Sequence, residues 1–263
     1  MSWEIYQVDA FTKRPFAGNP AGVCFLTAPA DDAWMRAVAA EMNVAETAFL
    51  VPRSDGAFDL RWFTPTVEVD LCGHATLASA HILWERQRLP LAETARFHTR
   101  SGLLSAWREG GAIRMDFPAE PAAPTEPPPE LRQALGVDFQ FAGRNRMDWL
   151  VEVADEASLA AVRPSLSALT ALGGRGVIVT TRSASPERDF VSRFFAPAAG
   201  VDEDPVTGSA HCALAPYWAA KLGKTALTGY QASARGGTVG CTVKGGRVVL
   251  GGHAVTVLRG TLL

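Results

Sequence analysis

Several features that would define a function class are missing from this chain of 263 residues. Its formal net charge is −2 and no cluster of Lys or Arg stands out, so we expect no nucleic-acid partner. It has no run of 18 consecutive apolar residues, so we expect no membrane partner. Its first residues lack the basic and apolar regions of a secretory signal, and we therefore expect a cytoplasmic location.

Cysteine is scarce and scattered. The four cysteines form no CxxC pair, which disfavours both a zinc motif and a disulfide framework, and we expect reduced thiols. The acidic run at 202–204 follows no calcium-loop pattern, and no HExxH element is present. The sequence therefore predicts no metal site.

Proline marks a candidate boundary between two halves. The segment 117–129 contains six prolines, and proline can neither continue a helix nor donate in a sheet. We predict an N-terminal half over 1–118, a linker over 119–130 and a C-terminal half over 131–263. This prediction includes the option that the last strand of the C-terminal half returns to the N-terminal half.

Short strand patterns dominate both halves, and helices are few. Strands and helices do not alternate regularly, which favours an α+β fold over a doubly wound or barrel fold. Two segments, 74–84 and 208–220, are apolar nearly all round, so we expect each to be a helix enclosed by a sheet. Pro216 should kink or end the second helix. The tail from 238 onwards suggests a β-meander.

One pattern occurs twice in the chain. Residues 63–65 (FTP) lead through an acidic segment to 72–78 (CGHATLA), and residues 195–197 (FAP) lead likewise to 208–214 (GSAHCAL). Each copy reads as a strand end, an acidic loop, a Gly and an apolar helix. Two such copies predict two pseudo-symmetric halves, with chemistry expected in a cleft between them.

The two helix starts are candidate anion sites. A Gly at a helix start allows a ligand to approach the backbone, and the first N–H groups of a helix have no partner within it. With the helix dipole, Gly73 and Gly208 are therefore predicted to bind a substrate carboxylate. The alternative is that both are simple tight turns.

Carboxylate and imidazole groups flank these starts. Glu46 is a lone carboxylate entering an apolar strand, and burial would raise its pKa toward neutrality, as suits an acid/base catalyst. It could equally be a rim or capping residue. His74 could bind a ligand or carry a proton, whereas His211 is expected to be structural. One acid of the 202–204 run could hold a substrate amine or hydroxyl.

Five blocks of the chain, in order, resemble the PhzF (phenazine biosynthesis) family of the diaminopimelate epimerase-like fold. The blocks are 9–12 (DAFT), 15–23 (PFAGNPAGV), 45–49 (AETAF), 72–76 (CGHAT) and 203–211 (EDPVTGSAH). The resemblance implies two pseudo-symmetric halves, each a rolled, mostly antiparallel sheet around a central helix.

The resemblance also implies a cofactor-free isomerase and a set of site residues. Glu46 matches the family's acid/base residue, with His74 and Asp204 assisting. The groups expected to bind a small carboxylate substrate are Gly73, Gly208, Ser209 and Asn19. Family members are often dimers, so a homodimer is an expectation.

Two other functions stay open at this point. The related racemases use two cysteines, and this chain has Cys72 in the first copy of the pattern but no thiol in register in the second. A racemase with one thiol is therefore the first alternative. The second is a member of the family that binds a metabolite or a protein without catalysis.

Overall fold

The computed structural model describes residues 2–263, and the chain divides into two units. The first unit comprises the residues up to Asp116 together with Gly251–Leu263, and the second is Phe117–Leu250. No helix within residues 2–263 has both the length and the apolar character needed to cross a membrane.

Strands of the first unit surround one long helix, α2. The strands are β1 (Trp3–Ala10), β2 (Asn19–Phe25), β3 (Glu46–Pro52), β4 (Phe58–Phe63), β5 (Glu68–Val69), β6 (Ala95–Thr99), β7 (Gly102–Glu109), β8 (Ala112–Pro118) and β17 (Ala254–Leu262). The helices are α1 (Asp32–Met42) and α2 (Gly73–Glu85). Pairing runs β1–β2 antiparallel, β2–β3 parallel, β3–β4 antiparallel, β4–β6 parallel and β6–β7 antiparallel.

The second unit repeats this order. Its strands are β9 (Ala123–Pro124), β10 (Phe141–Arg144), β11 (Asp148–Glu152), β12 (Gly176–Arg182), β13 (Phe190–Phe195), β14 (Ala226–Gln231), β15 (Gly237–Lys244) and β16 (Arg247–Gly252), whose last two residues belong to the first unit. Its helices are α3 (Pro129–Leu135), α4 (Glu156–Ala161), α5 (Leu166–Ala171) and α6 (Gly208–Leu222). From β10 to β15 the pairing is again antiparallel, parallel, antiparallel, parallel and antiparallel.

Each central helix is buried because its sequence leaves no polar face. In α2 nearly every side chain from His74 to Trp84 is buried, and the helix packs against β1, β2, β3, β7 and β17. In α6 the run from Ala210 to Ala215 is buried, and the helix packs against β14 and β15. The α+β class and the paired halves built around apolar helices are confirmed.

The proline-rich segment is not a linker between the two units. Residues 119–130 lie within the second unit, where they form β9 and begin α3. Pro216 explains how this segment is attached to α6. Pro216 lies inside α6 without ending the helix, and because it lacks an N–H it cannot donate to the carbonyl four residues earlier. That carbonyl, of Cys212, accepts the N–H of Glu120 at 3.0 Å instead.

The last strand, β17, belongs to the first unit, a return that the sequence left open. β17 pairs antiparallel with β1 along its length, from Trp3 opposite Leu262 to Ala10 opposite Ala254. The first unit therefore contains both ends of the described chain. β1 therefore lies between β2 and β17 and pairs with one of them on each side. An unpaired strand edge can associate with other chains, and the pairing with β17 covers the second edge of β1.

Candidate active site

The first unit brings Glu46, Cys72 and His74 together. Glu46 opens β3, Cys72 is the N-cap of α2 and His74 lies in its first turn. Oε2 of Glu46 is 3.1 Å from Nε2 of His74. On the other side of the ring, Nδ1 lies 3.5 Å from Sγ of Cys72 and 3.3 Å from Nδ2 of Asn19.

Local structure explains why these groups meet. β2 and β3 are parallel neighbours, and Ala21 of β2 pairs with Glu46, so Asn19 at the start of β2 lies near the start of β3. α2 packs against both strands and adds His74. His74 and Asn19 are buried, and the Glu46 side chain is 18% exposed. The carboxylate is thus the member of the cluster that a solute can reach.

Charge within the cluster favours an ionised Glu46 beside a protonated His74. Burial raises the pKa of Glu46, but the neighbouring imidazolium lowers this pKa by a larger amount. The net shift of the pKa is therefore downward. Burial lowers the pKa of His74, but its hydrogen bond to Cys72 and the negative charge of Glu46 raise that pKa well above its usual range. The expected rise in the pKa of Glu46 is therefore wrong, because His74 lies in contact with the carboxylate.

Cys72 remains protonated in this setting. Burial, and then the negative charge of Glu46, raise the pKa of its thiol to about 11, although His74 acts in the opposite direction. A thiol with that pKa is a poor proton acceptor at neutral pH. Within this cluster, an ionised Glu46 therefore lies against a protonated His74, beside a neutral Cys72 thiol.

The start of α2 leaves backbone donors available. The N-cap side chain of Cys72 makes no capping hydrogen bond in the described chain, and the first helical bond is from the N–H of Thr76 to the carbonyl of Cys72. The N–H groups before Thr76, including that of Gly73, have no partner in the helix. They lie in the same helical turn as His74.

The predicted residues of the second unit form a cluster of their own. Gly208 and Ser209 begin α6, and Thr207 is the N-cap. The Thr207 hydroxyl donates to Oδ2 of Asp204, and Nε2 of Gln231 donates to the Asp204 carbonyl at 2.7 Å. Gln231 also accepts the Thr207 N–H at 2.9 Å.

A residue that sequence reasoning missed, Arg175, holds Ser209. Its guanidinium donates to the Ser209 hydroxyl at 2.8 Å and forms a two-point contact with the fully buried carboxylate of Asp148. Arg175 lies in a glycine-rich loop far from Ser209 along the chain. No periodic pattern or motif links the two, so only the fold shows their contact.

Two other histidines, His211 and His81, fit structural roles. His211 is fully buried, its Nδ1 lies 2.8 Å from the Thr207 carbonyl, and burial lowers its pKa to about 4. His81 contacts the hydroxyl of Thr256 at 3.1 Å and lies 3.5 Å from Glu85. His211 is therefore a neutral core residue, as expected.

Comparison with known proteins identifies the family of the chain. A family model described as phenazine biosynthesis-like protein matches residues 8–260. An uncharacterized isomerase of Halalkalibacterium halodurans is 53% identical over 264 residues, covering 100% of this chain and 99% of that protein. A PhzF-family crystal structure from Enterococcus faecalis is 42% identical with a TM-score of 0.95, and each chain is covered completely.

A more distant structure shares the fold alone. A hydroxyproline epimerase from Agrobacterium vitis is 13% identical with a TM-score of 0.64, covering 99% of this chain and 92% of that one. The family model spans nearly the whole sequence, and the Halalkalibacterium relative covers this chain from end to end. The chain is therefore an isomerase-like member of the phenazine biosynthesis-like (PhzC-PhzF) family.

Proposed function

We propose that this protein moves a proton between carbons of a small carboxylate-bearing metabolite, with Glu46 as the acid/base residue. The observation that carries the proposal is the contact between Glu46 and His74, 3.1 Å apart and largely enclosed. The imidazolium keeps the carboxylate ionised, so Glu46 can accept a proton at neutral pH. The relatives named as isomerases support the reaction class.

The reaction needs no net input of protons or electrons. Glu46 removes a proton from a carbon near the substrate carboxylate. The electron pair of the broken C–H bond stays on the substrate, which becomes a carbanion. His74, as a cation beside Glu46, stabilises the negative charge that develops. Protonated Glu46 then returns the proton to a second carbon, which leaves an isomer of the substrate and the enzyme unchanged.

The substrate carboxylate has candidate donors in the chain. We propose that it accepts hydrogen bonds from the backbone at Gly73 and Gly208, with Asn19 and Ser209 contributing side-chain contacts. We further propose that Asp204 assists the proton transfer. None of these roles requires a cofactor, and the expected ligand is a small molecule.

Exchange of substrate hydrogen with solvent deuterium tests this proposal. Purified protein in deuterated water is mixed with a panel of small unsaturated and amino carboxylates, and mass spectrometry measures deuterium uptake. We expect uptake into one member of the panel, and loss of that uptake in Glu46→Gln, which keeps the size and removes the base. Glu41→Gln, which changes an exposed glutamate of α1, is the matched control.

Three results would contradict the proposal. Uptake at the wild-type rate in Glu46→Gln would remove Glu46 from catalysis. Uptake that survives Glu46→Gln but is lost in Cys72→Ser would favour the racemase with one thiol. Tight binding of a panel carboxylate without uptake or turnover would instead favour a binding protein.

A further inference from the structure

An arginine two residues before a phenylalanine occurs in both copies of the repeated pattern. Arg61 precedes Phe63 in β4, and Arg193 precedes Phe195 in β13. Each guanidinium lies over the ring of its phenylalanine, at 5.1 Å from the Phe63 centroid and 4.8 Å from the Phe195 centroid. The repeat therefore includes a pair of arginines to which the proposed function gives no role.

Both arginines bind a glutamate of the acidic segment that leads to the central helix of their unit. Nε and Nη2 of Arg61 donate to the two carboxylate oxygens of Glu68 at 2.7 and 2.6 Å. Nε and Nη2 of Arg193 donate in the same way to Glu203, at 2.7 and 2.9 Å. Two-point contacts of this kind fix the orientation of the carboxylate as well as its distance. The same contact therefore holds the acidic segment in each unit.

The pair in the second unit is largely enclosed. The side chains of Arg193 and Glu203 are 13% and 25% exposed. The remaining guanidinium nitrogen of Arg193, Nη1, donates to the carbonyls of Leu159 and Val162 at 3.3 and 2.9 Å. These two carbonyls lie at the C-terminal end of α4. Arg193 therefore joins α4, β13 and the acidic segment, and each of its three guanidinium nitrogens has a partner.

We propose that Arg193 is a positioning residue, which fixes Asp204 before the start of α6 by holding the adjacent Glu203. A backbone contact supports this assignment, because the Asp204 N–H donates to the Phe194 carbonyl at 3.0 Å. Residues 193 and 194 thus hold residues 203 and 204 at two successive points. The consequence for catalysis rests on the proposed function, in which Asp204 assists the proton transfer.

Loss of the two-point contact should displace the segment. Arg193→Met leaves the Glu203 carboxylate partly enclosed without its cation, so that carboxylate should turn toward water and move Asp204 with it. A shift of about 1 Å in a group that takes part in catalysis can lower a rate by up to about 100-fold. Arg193→Lys keeps the positive charge but not the planar two-point contact, so its effect should be smaller.

Amide hydrogen exchange, followed by peptide mass spectrometry, tests the positioning without a substrate. We expect exchange in residues 201–207 to be at least about tenfold faster in Arg193→Met than in the wild type, and intermediate in Arg193→Lys. Arg132→Met is the matched control. Arg132 also pairs with a carboxylate, that of Asp138 at 2.6 Å, and lies 4.3 Å from the ring centroid of Phe139 in the same unit. Its loss should leave exchange in residues 201–207 unchanged.

Kinetics of deuterium uptake into the substrate test the consequence for catalysis. The maximal rate should fall at least about tenfold in Arg193→Met and recover in part in Arg193→Lys. The substrate concentration for half-maximal uptake should change little, because the lost interaction acts in the transition state. Each variant is assayed below its thermal unfolding midpoint, so that loss of folded protein does not contribute. Arg193→Lys carries both measurements if Arg193→Met does not fold.

Two results would overturn the inference. The first is unchanged amide exchange in residues 201–207 when Arg193 is replaced, whatever the activity. The second is faster amide exchange with substrate uptake at the wild-type rate, because the position of Asp204 would then not affect the reaction. Failure of the proposed function is a separate result, namely no uptake by the wild type with any member of the panel. The amide exchange then still decides whether Arg193 positions Asp204.

Discussion

Nε2 of His74 lies 3.1 Å from Oε2 of Glu46, and this contact determines the charge state of both side chains. The carboxylate is partly enclosed, and burial alone would favour its neutral form. The imidazolium reverses that preference, so Glu46 is available as a base and His74 as the adjacent cation. The charge state of this cluster therefore depends on the pair of side chains rather than on the carboxylate alone.

Replacing His74 should shift the pH dependence of the exchange reaction. Under the proposed function, Glu46 acts as a base only when it is ionised, so we expect the rate to fall as the pH drops through its pKa. His74→Gln removes the cation that lowers this pKa and leaves burial, which raises it. We expect the acidic limb of the rate profile to move to higher pH, measured as deuterium uptake in chelator-containing buffers.

A matched substitution separates this effect from a general effect of losing a histidine. His81→Gln changes a partly buried histidine of the same helix, and we expect it to leave the acidic limb in place. An acidic limb at the same pH in His74→Gln and in the wild type would contradict the assigned coupling between His74 and Glu46.

Gly18 should be more sensitive to substitution than Gly111, although both have a positive φ. Its φ is +66°, and a Cβ there would lie 2.1 Å from the carbonyl oxygen of Ala10, a backbone atom that cannot move aside. Gly111 has a φ of +81°, yet a Cβ there meets no atom of residues 2–263 within 4 Å. We expect unfolding free energy to fall by about 1 kcal/mol in Gly111→Ala and by at least about 2 kcal/mol in Gly18→Ala.

Deuterium uptake should also fall more in Gly18→Ala than in Gly111→Ala, because Gly18 directly precedes Asn19. Displacing that backbone moves the Asn19 amide away from His74, so deuterium uptake should fall in Gly18→Ala and persist in Gly111→Ala. Urea unfolding followed by tryptophan fluorescence gives the stability difference. Equal losses of stability in the two variants would show that φ alone, rather than contact with Ala10, sets the cost.

The sequence predicted the elements whose residues carry a local pattern. The two enclosed helices follow from apolar residues on every face, and both lie within a residue or two of the expected bounds. In β14, small and polar residues such as Thr228 and Gly229 weaken the strand pattern, and pairing with β13 and β15 supplies the stabilisation instead.

Contacts between distant segments account for what the sequence could not show. The sequence predicted a linker at the proline-rich segment because nothing within that segment indicates its attachment to α6. The attachment is a hydrogen bond from Glu120 to the Cys212 carbonyl, which is free only because Pro216 of α6 lacks an N–H. The lowered pKa of Glu46 depends likewise on a histidine supplied by α2. Each of these effects arises from an interaction that no local pattern encodes.

Arg175 should stabilise the second unit by neutralising a buried charge. The Asp148 side chain is fully buried, and 31% of the Arg175 side chain is exposed. Arg175→Met leaves the carboxylate without its cation, and we expect unfolding free energy to fall by about 2–4 kcal/mol, less than for a fully enclosed pair. The double variant Arg175→Met, Asp148→Asn should be more stable than Arg175→Met alone, and strictly additive losses would contradict this account.

Asp204 is the residue of the second unit whose charge we expect to matter for activity. Its backbone carbonyl is held by Gln231, so Asp204→Asn should keep the local structure, and the amide oxygen can still accept from Thr207. The substitution removes the negative charge alone. If Asp204 assists proton transfer, deuterium uptake at saturating substrate should fall at least about tenfold, while the thermal unfolding midpoint changes little.

Asp202 offers a control from the same acidic run. It is exposed, and Asp202→Asn removes the same charge two residues away, so long-range electrostatics would affect both variants similarly. We expect Asp202→Asn to exchange deuterium at the wild-type rate. Equal rates in Asp204→Asn and the wild type would exclude Asp204 from the proton transfer. A rise in the substrate concentration for half-maximal uptake, with the maximal rate unchanged, would assign Asp204 to substrate binding, because the lost interaction would then be equal in the ground and transition states.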